Sequence, residues 1–390
     1  MNSQPKHRSQ VDIAIAGGGI AGLWLYNLLH RRGYSVVLFE AKELGCDQTL
    51  ASQGMIHGGL KYALSGILTG ASEAIADMPS RWRTCLSNPA DDDVDLTAIT
   101  PQSADYYMFS SGKFGLTSFF ASKALRGRID KVSEKERPKA LHGLSGVVYK
   151  LNDFVLDSQA LLTHLAAINQ QHLFNLELNT KNTKATADGY EITLDDHIIC
   201  AQRLVSCAGN GSLALLKGLE IADFKIQQRP LKQVIVQPQH GYQLFAHCLT
   251  GVTTNEPRLT ITTHNDAQKN VWYLGGQIAS SGVERSDDEQ IKFAQQELEH
   301  CVGWLDWQNA QYDVLWVNRA EPAQRGGLKP DQAYAEQQGN FILTFPTKLT
   351  LAPNLGDQVL ELLPSPKHGN TRVQSNHKKV TMGDYPWHRS

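Results

Sequence analysis

The stretch Val11-Asp-Ile-Ala-Ile-Ala-Gly-Gly-Gly-Ile-Ala-Gly22 decides the fold of this 390-residue chain. Its first six residues form a mostly apolar run, typical of a parallel strand that is buried on both faces. Gly17, Gly19 and Gly22 follow in G-x-G-x-x-G spacing. In that spacing the first glycine allows a tight turn, the second lets a pyrophosphate approach the backbone, and the third lets a helix pack on the strand.

The residues after the glycines complete a βαβ pattern. A helix is predicted over Ile20–Arg32, and its first residues, Ile20 and Ala21, would point N–H groups and the positive helix end at a phosphate. Ser35–Phe39 reads as the second parallel strand. Glu40 closes that strand about 20 residues after the first glycine, where an acidic side chain accepts hydrogen bonds from a ribose. We therefore predict dinucleotide binding; an ordinary βαβ unit with glycine turns is the alternative.

Composition limits the classes of function. The chain has 37 basic and 39 acidic residues and a net charge of −2, so neither sign dominates and a nucleic-acid partner is not expected. Its six cysteines show no C-x-x-C pair and no metal-like spacing with histidine. We interpret them as free thiols in a reducing compartment and predict no metal site.

No membrane-spanning segment is expected. The polar residues Met1–Gln10 precede an apolar stretch that could be mistaken for a signal sequence, but Asp12 and the three consecutive glycines favour a folded strand and helix. No other stretch is long enough to span a bilayer. We predict a cytoplasmic protein and leave peripheral membrane contact open.

The segment from Ala41 to Tyr62 has little periodicity and many small residues, which suggests backbone pressed close against a flat ligand. Within it the candidate cofactor contacts are Ala41, Thr49, Ser52, Gln53 and Gly54.

The end of this segment carries a family resemblance. Ile56-His-Gly-Gly-Leu-Lys-Tyr62 resembles the I-H-G-G-L-R-Y motif of FAD-dependent glycerol-3-phosphate dehydrogenases, within the D-amino-acid-oxidase-like flavoprotein superfamily. The resemblance implies that FAD is the cofactor and that this segment lies along the isoalloxazine ring and reaches the substrate. We take His57 as the candidate base, because an imidazole titrates near neutral pH. Tyr62 would orient the substrate, and a structural loop histidine is the alternative for His57.

Three later stretches resemble further elements of the same family. Leu204-Val-Ser-Cys-Ala-Gly-Asn-Gly211 resembles the second cofactor motif, in which Ala208 and Gly209 would pass under the dinucleotide. Gly326-Gly-Leu-Lys-Pro330 resembles the G-x-R-P element that grips the substrate's anionic group. Phe345-Pro-Thr-Lys-Leu-Thr350 resembles G-K-L-T, which would face the O2/N1 edge of the flavin through Thr347, Lys348, Leu349 and Thr350.

The chain departs from the family pattern at two kinds of position. Lys61 and Lys329 stand where the family has arginines, so the positive charge is kept but the planar, bidentate fork is lost. A carboxylate would suit these lysines as well as a phosphate. The segment Phe345-Pro-Thr, before Lys348, lacks the usual glycines.

Local signals mark several element boundaries. Asp157 is predicted to cap a helix by accepting from its first N–H groups. Asp188-Gly189 reads as a hairpin turn. Ser286 and Glu289 form a capping box at the start of a helix predicted over Asp287–Trp304.

The fold class predicted is α/β, a Rossmann-like FAD-binding domain with an inserted substrate domain built on a mixed or antiparallel sheet. The FAD-binding domain would comprise residues 11–80, 151–224 and 331–366. The substrate domain would comprise residues 81–150 and 225–330. Residues 367–390 are polar with few apolar anchors and are predicted to form a loose tail.

The favoured function is oxidation of a small anionic substrate at a C–H bond alpha to a hydroxyl, by hydride transfer to flavin N5. Lys61, Lys329 and Lys348 would hold the negative charge, and the flavin would carry the redox chemistry. The electron acceptor stays open between oxygen, a quinone and a carrier protein. The alternatives are an amine or amino-acid oxidase, an NAD-linked dehydrogenase and a non-catalytic flavin-binding protein.

Overall fold

The computed structural model describes residues 7–59, 75–110, 129–168, 170–249, 256–266, 269–324, 330, 332–369, 371 and 373–388. In these residues the strands are β1 (His7–Ala16), β2 (Val36–Glu40), β3 (Met55–Ile56), β4 (Tyr106–Ser110), β5 (Ile129–Val132), β6 (Val148–Leu151), β7 (Phe154–Val155), β8 (Leu173–Asn175), β9 (Thr183–Thr186), β10 (Gly189–Leu194), β11 (His197–Ser206), β12 (Ile226–Gln237), β13 (Ala246–Leu249), β14 (Leu259–Asp266), β15 (Lys269–Gly275), β16 (Gln311–Pro322), β17 (Tyr334–Gln338) and β18 (Phe341–Phe345). The α-helices are α1 (Ile20–Arg31), α2 (Met78–Ser87), α3 (Ser158–Ala167), α4 (Ser212–Gly218), α5 (Gln277–Ser281), α6 (Asp287–Val302) and α7 (Ala352–Leu362). None of these helices combines the length and the apolar composition needed to cross a membrane.

The first sheet has the strand order β17-β18-β11-β1-β2-β8, with β10 beside β11 and β9 beside β10. β1 pairs in parallel with both β2 and β11. The run Val11–Ala16 is buried on both faces: Ile13 and Ile15 join an apolar cluster with α1, α3 and α7, whereas Val11 and Ala14 join a second cluster with β10 and α4. The two-sided burial explains why this strand is mostly apolar rather than alternating.

The second sheet has the strand order β16-β12-β15-β14-β13-β4-β6-β5. Its neighbours are antiparallel except for β4 and β13, which are parallel. Helix α6 covers one face through Ala294, Leu298 and Val302, which pack with Trp272 and Leu274 of β15. The predicted α/β class, with a Rossmann-like sheet and an inserted mixed sheet, is confirmed.

A loop that follows β2 joins the two sheets. The Gln53 amide donates hydrogen bonds to the carbonyls of Thr260, at 3.0 Å, and Tyr273, at 2.8 Å. In return, the Tyr273 hydroxyl donates to the carbonyl of Ala51 at 2.6 Å. The second sheet is therefore held by hydrogen bonds to a loop of the first.

The predicted caps of two helices are confirmed, and the predicted hairpin is present with its turn one residue earlier in the chain. The Asp157 carboxylate accepts from the Ala160 N–H at 2.8 Å at the start of α3. Ser286 and Glu289 form both bonds of the capping box at the start of α6. Residues 187 and 188 form the turn between β9 and β10. Helix α6 ends at Val302, two residues earlier than predicted.

The prediction of a loose C-terminal tail is wrong. The backbone N–H groups of Lys367 and His368 donate to the buried Asp12 carboxylate at 2.9 and 3.1 Å. Val373 is 3% and Tyr385 is 5% exposed, so the segment has apolar anchors despite its polar composition. We call residues 367–388 the C-terminal strap. The anchors were missed because they are widely spaced and contact elements far away in the sequence.

The strap also contributes two aromatic rings to a cluster around a buried imidazole. His264 of β14 is 1% exposed and lies beside the rings of Tyr273, Tyr385 and Trp387. Burial lowers the pKa of His264 from 6.5 to about 4. The folded protein therefore keeps this ring neutral in a pH range where the unfolded chain protonates it.

The pH dependence of stability follows from that difference. The pKa of His264 is lower in the folded state than in the unfolded chain. Its contribution to the free energy of unfolding is therefore complete above pH 6.5 and is lost as the pH falls toward 4. The loss is about 3 kcal/mol at most. We expect the free energy of unfolding, measured with denaturant, to fall more between pH 6.5 and pH 4 in the wild type than in the His264→Phe variant. Equal losses in the two proteins would contradict a buried, neutral His264.

Candidate functional site

A cavity of about 490 Å³ lies where the first sheet meets the second. It is lined by the glycine turn after β1, by loops after β2, β11 and β18, and by one face of β12, β15 and β16. Most of the sequence-predicted site residues line it: Gly17, Gly19, Ile20, Ala21, Glu40, Ala41, Thr49, Ser52, Gln53, Gly54, His57, Ala208, Gly209, Thr347, Lys348 and Leu349. The predicted residues Gly22 and Thr350 lie behind its wall. Lys61, Tyr62 and Lys329 lie outside the described residues.

The glycine turn has the geometry that its spacing predicts. Gly17 has φ +109°, and a Cβ there would lie 2.5 Å from the carbonyl oxygen of Cys207. A Cβ on Gly22 would lie 1.9 Å from the carbonyl oxygen of Gly17, so α1 packs on β1 too closely for a side chain. At Gly19 the nearest obstacle is the Thr49 hydroxyl at 3.0 Å, on the cavity wall.

The N-terminus of α1 faces the cavity. Its N-cap is Gly19, which has no capping side chain, and its first turn has no acidic residue. The Thr49 hydroxyl accepts from the Ile20 N–H at 3.1 Å. Thr49, which the sequence predicts as a cofactor contact, thus also satisfies the first N–H group of α1. Such a helix end attracts a phosphate through its N–H groups and its dipole.

Glu40 lies beside this helix end. Its carboxylate accepts hydrogen bonds from the N–H groups of Gly18, at 2.6 Å, and Lys42, at 2.9 Å. Each carboxylate oxygen has a second lone pair, so these bonds are compatible with the predicted bonds from a ribose.

Replacement of Glu40 tests that role. We expect Glu40→Ala to raise the dissociation constant of FAD about 10- to 100-fold, because hydrogen bonds to a charged group are lost. Glu40→Gln keeps the shape and one acceptor oxygen and should have a smaller effect. Titration of the apoprotein with FAD, followed by flavin fluorescence, measures both. If Glu40→Ala binds FAD as tightly as the wild type does, Glu40 does not bind the ribose.

Two further loops bring small residues to the cavity. Gly54 has φ +65°, and a Cβ there would lie 2.1 Å from the Leu156 carbonyl oxygen. Gly209, at the end of β11, has φ +52°, and a Cβ there would lie 2.8 Å from the Gln48 amide. Ala208 and Ser52 line the cavity beside them. Glycine is therefore favoured at both positions by close packing against neighbouring protein groups, and both glycines line the cavity.

The segment after β18 holds a strained residue. Thr347 has φ +58°, a region where a β-branched residue is an outlier that costs about 1–3 kcal/mol. Its hydroxyl donates to the Gln332 carbonyl at 2.9 Å. The chain thus makes a left-handed turn at a position where the sequence lacks the family's glycines.

Lys348, the residue after Thr347, presents positive charge to the cavity. Lys348 lines it, and its ammonium donates to the Pro330 carbonyl at 2.9 Å. A short 3-10 turn, Leu349–Leu351, then leads into α7, whose first turn has no acidic residue and no capping side chain. Leu349 is the last residue of this segment that lines the cavity, so α7 itself begins behind the cavity wall.

The loop after β3 places His57 on the cavity wall. The ring is 8% exposed, and Gly59 N–H donates to its Nδ1 at 3.2 Å. Thr350, which does not line the cavity, accepts from the His57 N–H at 3.3 Å. The role of Thr350 in this structure is thus to hold the His57 backbone.

The face of the second sheet supplies residues that the sequence reasoning missed. Arg319 of β16, Gln233 of β12 and His247 of β13 line the cavity. The His247 Nδ1 lies 3.0 Å from the Thr260 hydroxyl, and the Tyr273 hydroxyl lies 2.9 Å from the Gln233 amide oxygen. No local pattern in the sequence marks these residues, because the face of the sheet on which they lie depends on how the strands pair.

A charge cluster surrounds Arg319. Arg319 lies opposite Arg229 in the register of β16 and β12, and Glu321 follows on the same face. Arg229 donates two hydrogen bonds to Glu321, at 2.6 and 3.1 Å. Burial opposes ionisation of Glu321, but the bonds from Arg229 and the charge of Arg319 hold its pKa below the usual value. Glu321 is thus an ionised carboxylate between two guanidinium groups.

The glycine turn, the start of α1 and the acidic residue after β2 are the features of a dinucleotide-binding site. The family described as FAD dependent oxidoreductase matches residues 12–302, and the chain belongs to that family. FAD is therefore its cofactor, and the residues that line the cavity fit FAD. The NAD-linked alternative is thereby excluded.

Relatives in sequence and structure agree with this assignment. The chain is 45% identical over 358 residues, 89% of each chain, to the probable FAD-dependent oxidoreductase PA4991 of Pseudomonas aeruginosa. The crystal structure of that protein superposes with a TM-score of 0.82 at 35% identity and covers 100% of this chain and 99% of its own. L-alpha-glycerophosphate oxidase from Mycoplasma pneumoniae (TM-score 0.62, 15% identity, 97% of both chains) shares the fold. So does glycine oxidase from Geobacillus kaustophilus (TM-score 0.61, 15% identity, 94% of this chain and 100% of that one).

Proposed function

We propose that the protein oxidises a small anionic substrate at a C–H bond alpha to a hydroxyl, such as a glycerol-3-phosphate-like compound or a 2-hydroxy acid. The observation that carries this proposal is Arg319 on the substrate-side wall of the cavity. Its planar fork matches a carboxylate or a phosphate, which the lysines of this chain match less well.

The charges around Arg319 support the same conclusion. Arg229 donates two side-chain hydrogen bonds to Glu321, so the Glu321 charge is largely satisfied away from the cavity. Arg319 and Lys348 then bring positive charge to the cavity from opposite sheets. We include Lys61 and Lys329 in the proposal as further positive charges that bind the substrate anion.

The chain's own residues have distinct tasks in this proposal. The start of α1 and Glu40 hold the pyrophosphate and the ribose of FAD, which supplies the two-electron oxidation when it is bound. Arg319 and Lys348 orient the substrate, and the apolar side chains of Leu231 and Val317 exclude water beside Arg319.

An amino acid or amine is the second candidate substrate. The observation that favours it is Glu256, which lines the cavity and accepts from the Ser280 hydroxyl at 2.8 Å. A carboxylate there would attract an ammonium group. The names of the structural relatives, an L-alpha-glycerophosphate oxidase and a glycine oxidase, match the two candidates, and both substrates carry an anionic group.

An anaerobic screen tests the proposal. The purified FAD-loaded enzyme is mixed with 2-hydroxy acids, sugar phosphates and amino acids, and bleaching of the flavin absorption is followed. Each anion is paired with a neutral analogue, for example glycerol with glycerol 3-phosphate. We expect bleaching by anions only; equal rates with the neutral partners would overturn the proposal. Reoxidation of the reduced enzyme by oxygen, a quinone or a carrier protein then identifies the acceptor.

A further inference from the structure

The hydroxyl of Tyr273 has two neighbouring oxygen atoms that accept hydrogen bonds. It lies 2.6 Å from the carbonyl oxygen of Ala51 and 2.9 Å from the amide oxygen of Gln233. A phenolic hydroxyl has one proton to donate, and a backbone carbonyl oxygen can only accept. The proton therefore goes to Ala51, the shorter contact. An amide oxygen at the other position would then face the phenolic oxygen with no proton between them.

Half a turn of the Gln233 amide removes this conflict. The oxygen and the nitrogen of a side-chain amide occupy nearly the same space, so the two orientations differ in their hydrogen bonds. With Nε2 beside Tyr273, an N–H donates to the phenolic oxygen, and 2.9 Å is the ordinary length of such a bond. Tyr273 is 0% exposed, so a donor at this point has to come from the amide rather than from bulk water.

The other end of the same amide is open to the cavity. Gln233 lines the cavity together with Leu231, two residues earlier on β12, so both side chains lie on one face of the strand. Among the described residues, Tyr273 alone hydrogen-bonds the Gln233 side chain, and the remaining amide atom keeps an accessible surface. With Nε2 paired to Tyr273, that atom is the carbonyl oxygen. The cavity wall thus presents a hydrogen-bond acceptor on a side chain that is only 6% exposed.

This acceptor stands apart from the anion-binding end of the wall. Arg319 lies opposite Arg229, and Gln233 follows Arg229 by four residues on β12, which is about 13 Å along the strand. The apolar pair Leu231 and Val317 lies between the two positions and also lines the cavity. A group that Gln233 binds is therefore separate from an anion that Arg319 binds.

We propose that the Gln233 carbonyl oxygen accepts a hydrogen bond from a hydroxyl group of the substrate, and that Tyr273 is the positioning residue that fixes this orientation of the amide. The substrate contact rests on the proposed function, whereas the orientation of the amide does not. The substrate then carries a hydroxyl at a distance from its anionic group, as a glycerol phosphate does. A methyl ether in place of that hydroxyl would meet an oxygen without a proton to share.

Replacement of Gln233 by methionine tests the acceptor, because methionine has a similar length but no amide. The FAD-loaded enzyme is assayed with the best anion of the anaerobic screen, and analogues that each lack one hydroxyl serve as competitive inhibitors. We expect kcat/KM to fall about 10-fold. Binding of every analogue should weaken similarly, except for the one that lacks the hydroxyl bound by Gln233. Its inhibition constant and the affinity for FAD should stay unchanged.

The matched control is Gln237→Met, four residues further along β12 and outside the cavity lining, which should change none of these values. If Gln233→Met leaves kcat/KM unchanged, weakens all analogues equally or lowers the affinity for FAD, Gln233 is not the acceptor for the substrate.

Tyr273→Phe tests the positioning role, because it frees the amide to turn. The measured quantity is the ratio of two inhibition constants, for the methyl ether and for the deoxy analogue at the same carbon. In the wild type the methyl ether should bind less well than the deoxy analogue. In Tyr273→Phe an N–H can turn toward the ether oxygen, so the ratio should shift about 10-fold in favour of the ether. A loss of packing alone would weaken both analogues alike, and an unchanged ratio would overturn the role of Tyr273.

Hydrogen exchange of the side-chain amide tests the orientation without a substrate. In the FAD-loaded protein with 15N-labelled glutamine, the signals of Gln233 are those missing from Gln233→Met. We expect one Nε2 proton to exchange slowly with water, because it is donated to a buried hydroxyl, and to exchange rapidly in Tyr273→Phe. Two rapidly exchanging protons in the wild type would overturn the inference even if the substrate class is correct. If no anion bleaches the flavin, the substrate contact fails with the proposed function, whereas slow exchange would still support the orientation.

Discussion

Replacing Arg319 with methionine should lower kcat/KM for the anionic substrate about 100-fold or more. Methionine has a similar length but carries no charge, so a substrate anion that enters the cavity would lose a charge-assisted, bidentate partner. Truncating one member of a buried, hydrogen-bonded charge pair typically costs about 2–5 kcal/mol, which is a factor of about 30 to several thousand. Asn318, the residue before Arg319, accepts a hydrogen bond from Asn210, next to the predicted cofactor residue Gly209, so the affinity for FAD is measured in the same variant.

A second substitution separates charge from geometry at the same position. Arg319→Lys keeps the charge but replaces the fork by a single ammonium, so an intermediate loss, mainly in KM, is expected. Steady-state kinetics with the best substrate of the anaerobic screen measure both variants, with FAD content as the control for folding. If Arg319→Met turns over the anion as well as the wild type does, Arg319 is not the anion-binding residue.

The cofactor half of the site was predictable because its signals are local. The close packing at Gly22 and the position of Glu40 depend on contacts within one βαβ unit. The helix caps at Asp157 and Ser286 depend on the next three residues. In each case the residue type and the geometry that requires it lie within a few turns of chain.

The substrate half was less predictable because it depends on strand register. Arg319 reaches the cavity because β16 pairs with β12 so that Arg319 lies opposite Arg229, 90 positions away in the chain. A shift of one residue would turn Arg319 to the other face of the sheet. The sequence contains no local signal for that register, so Gln233, His247 and Arg319 could be found only from the assembled sheet.

The C-terminal strap was misjudged for a related reason. Asp12 reads as an isolated charge at the head of a buried strand, but it accepts hydrogen bonds from the N–H groups of residues more than 350 positions away. Asp12 also accepts from the N–H and the hydroxyl of Ser35, both at 2.9 Å, so a partner close in the chain already accounts for its burial and nothing pointed to the C-terminal segment. Composition alone could not identify residues 367 and 368 as that segment.

The strap also supports the cofactor side of the cavity. The Leu44 N–H donates to the Thr381 carbonyl at 2.8 Å, and the Gly383 N–H donates to the Leu44 carbonyl at 3.0 Å. The next residue, Gly45, donates to the carbonyl of Gly18 in the glycine turn at 3.0 Å. Residues 381–383 thus fix the loop at 44–46, and this loop lines the cavity through Gly45 and Cys46.

The far end of the strap reaches the second sheet. The Tyr385 hydroxyl donates to the Asp157 carboxylate at 2.8 Å, and its ring stacks on Trp387 at 4.4 Å between centroids. Trp387 packs on Tyr273 of β15 at 5.9 Å. The strap therefore spans the junction between the two sheets as well as the loop beside the glycine turn.

Deletion of residues 373–390 should therefore weaken both the fold and cofactor binding. The variant keeps the contacts of Asp12 but loses the anchors at Tyr385 and Trp387, and loss of a buried aromatic side chain costs about 3–5 kcal/mol. We expect a melting temperature lower by on the order of 10 °C. The dissociation constant of FAD should rise at least about 10-fold, because the loop at 44–46 loses two backbone hydrogen bonds.

Two point variants show whether these effects arise from anchoring. Tyr385→Ala in the full-length chain should reproduce much of the fall in melting temperature. Lys378→Ala, at an exposed position of the strap, should change neither the melting temperature nor the dissociation constant of FAD. Thermal unfolding and FAD titration of the apoprotein measure them. Because the strap contacts the loop at 44–46 and the second sheet at different points, Tyr385→Ala should affect stability more than FAD affinity. If the deletion variant melts and binds FAD like the wild type, the contacts of the strap contribute nothing to either sheet, and the cavity depends on the glycine turn alone.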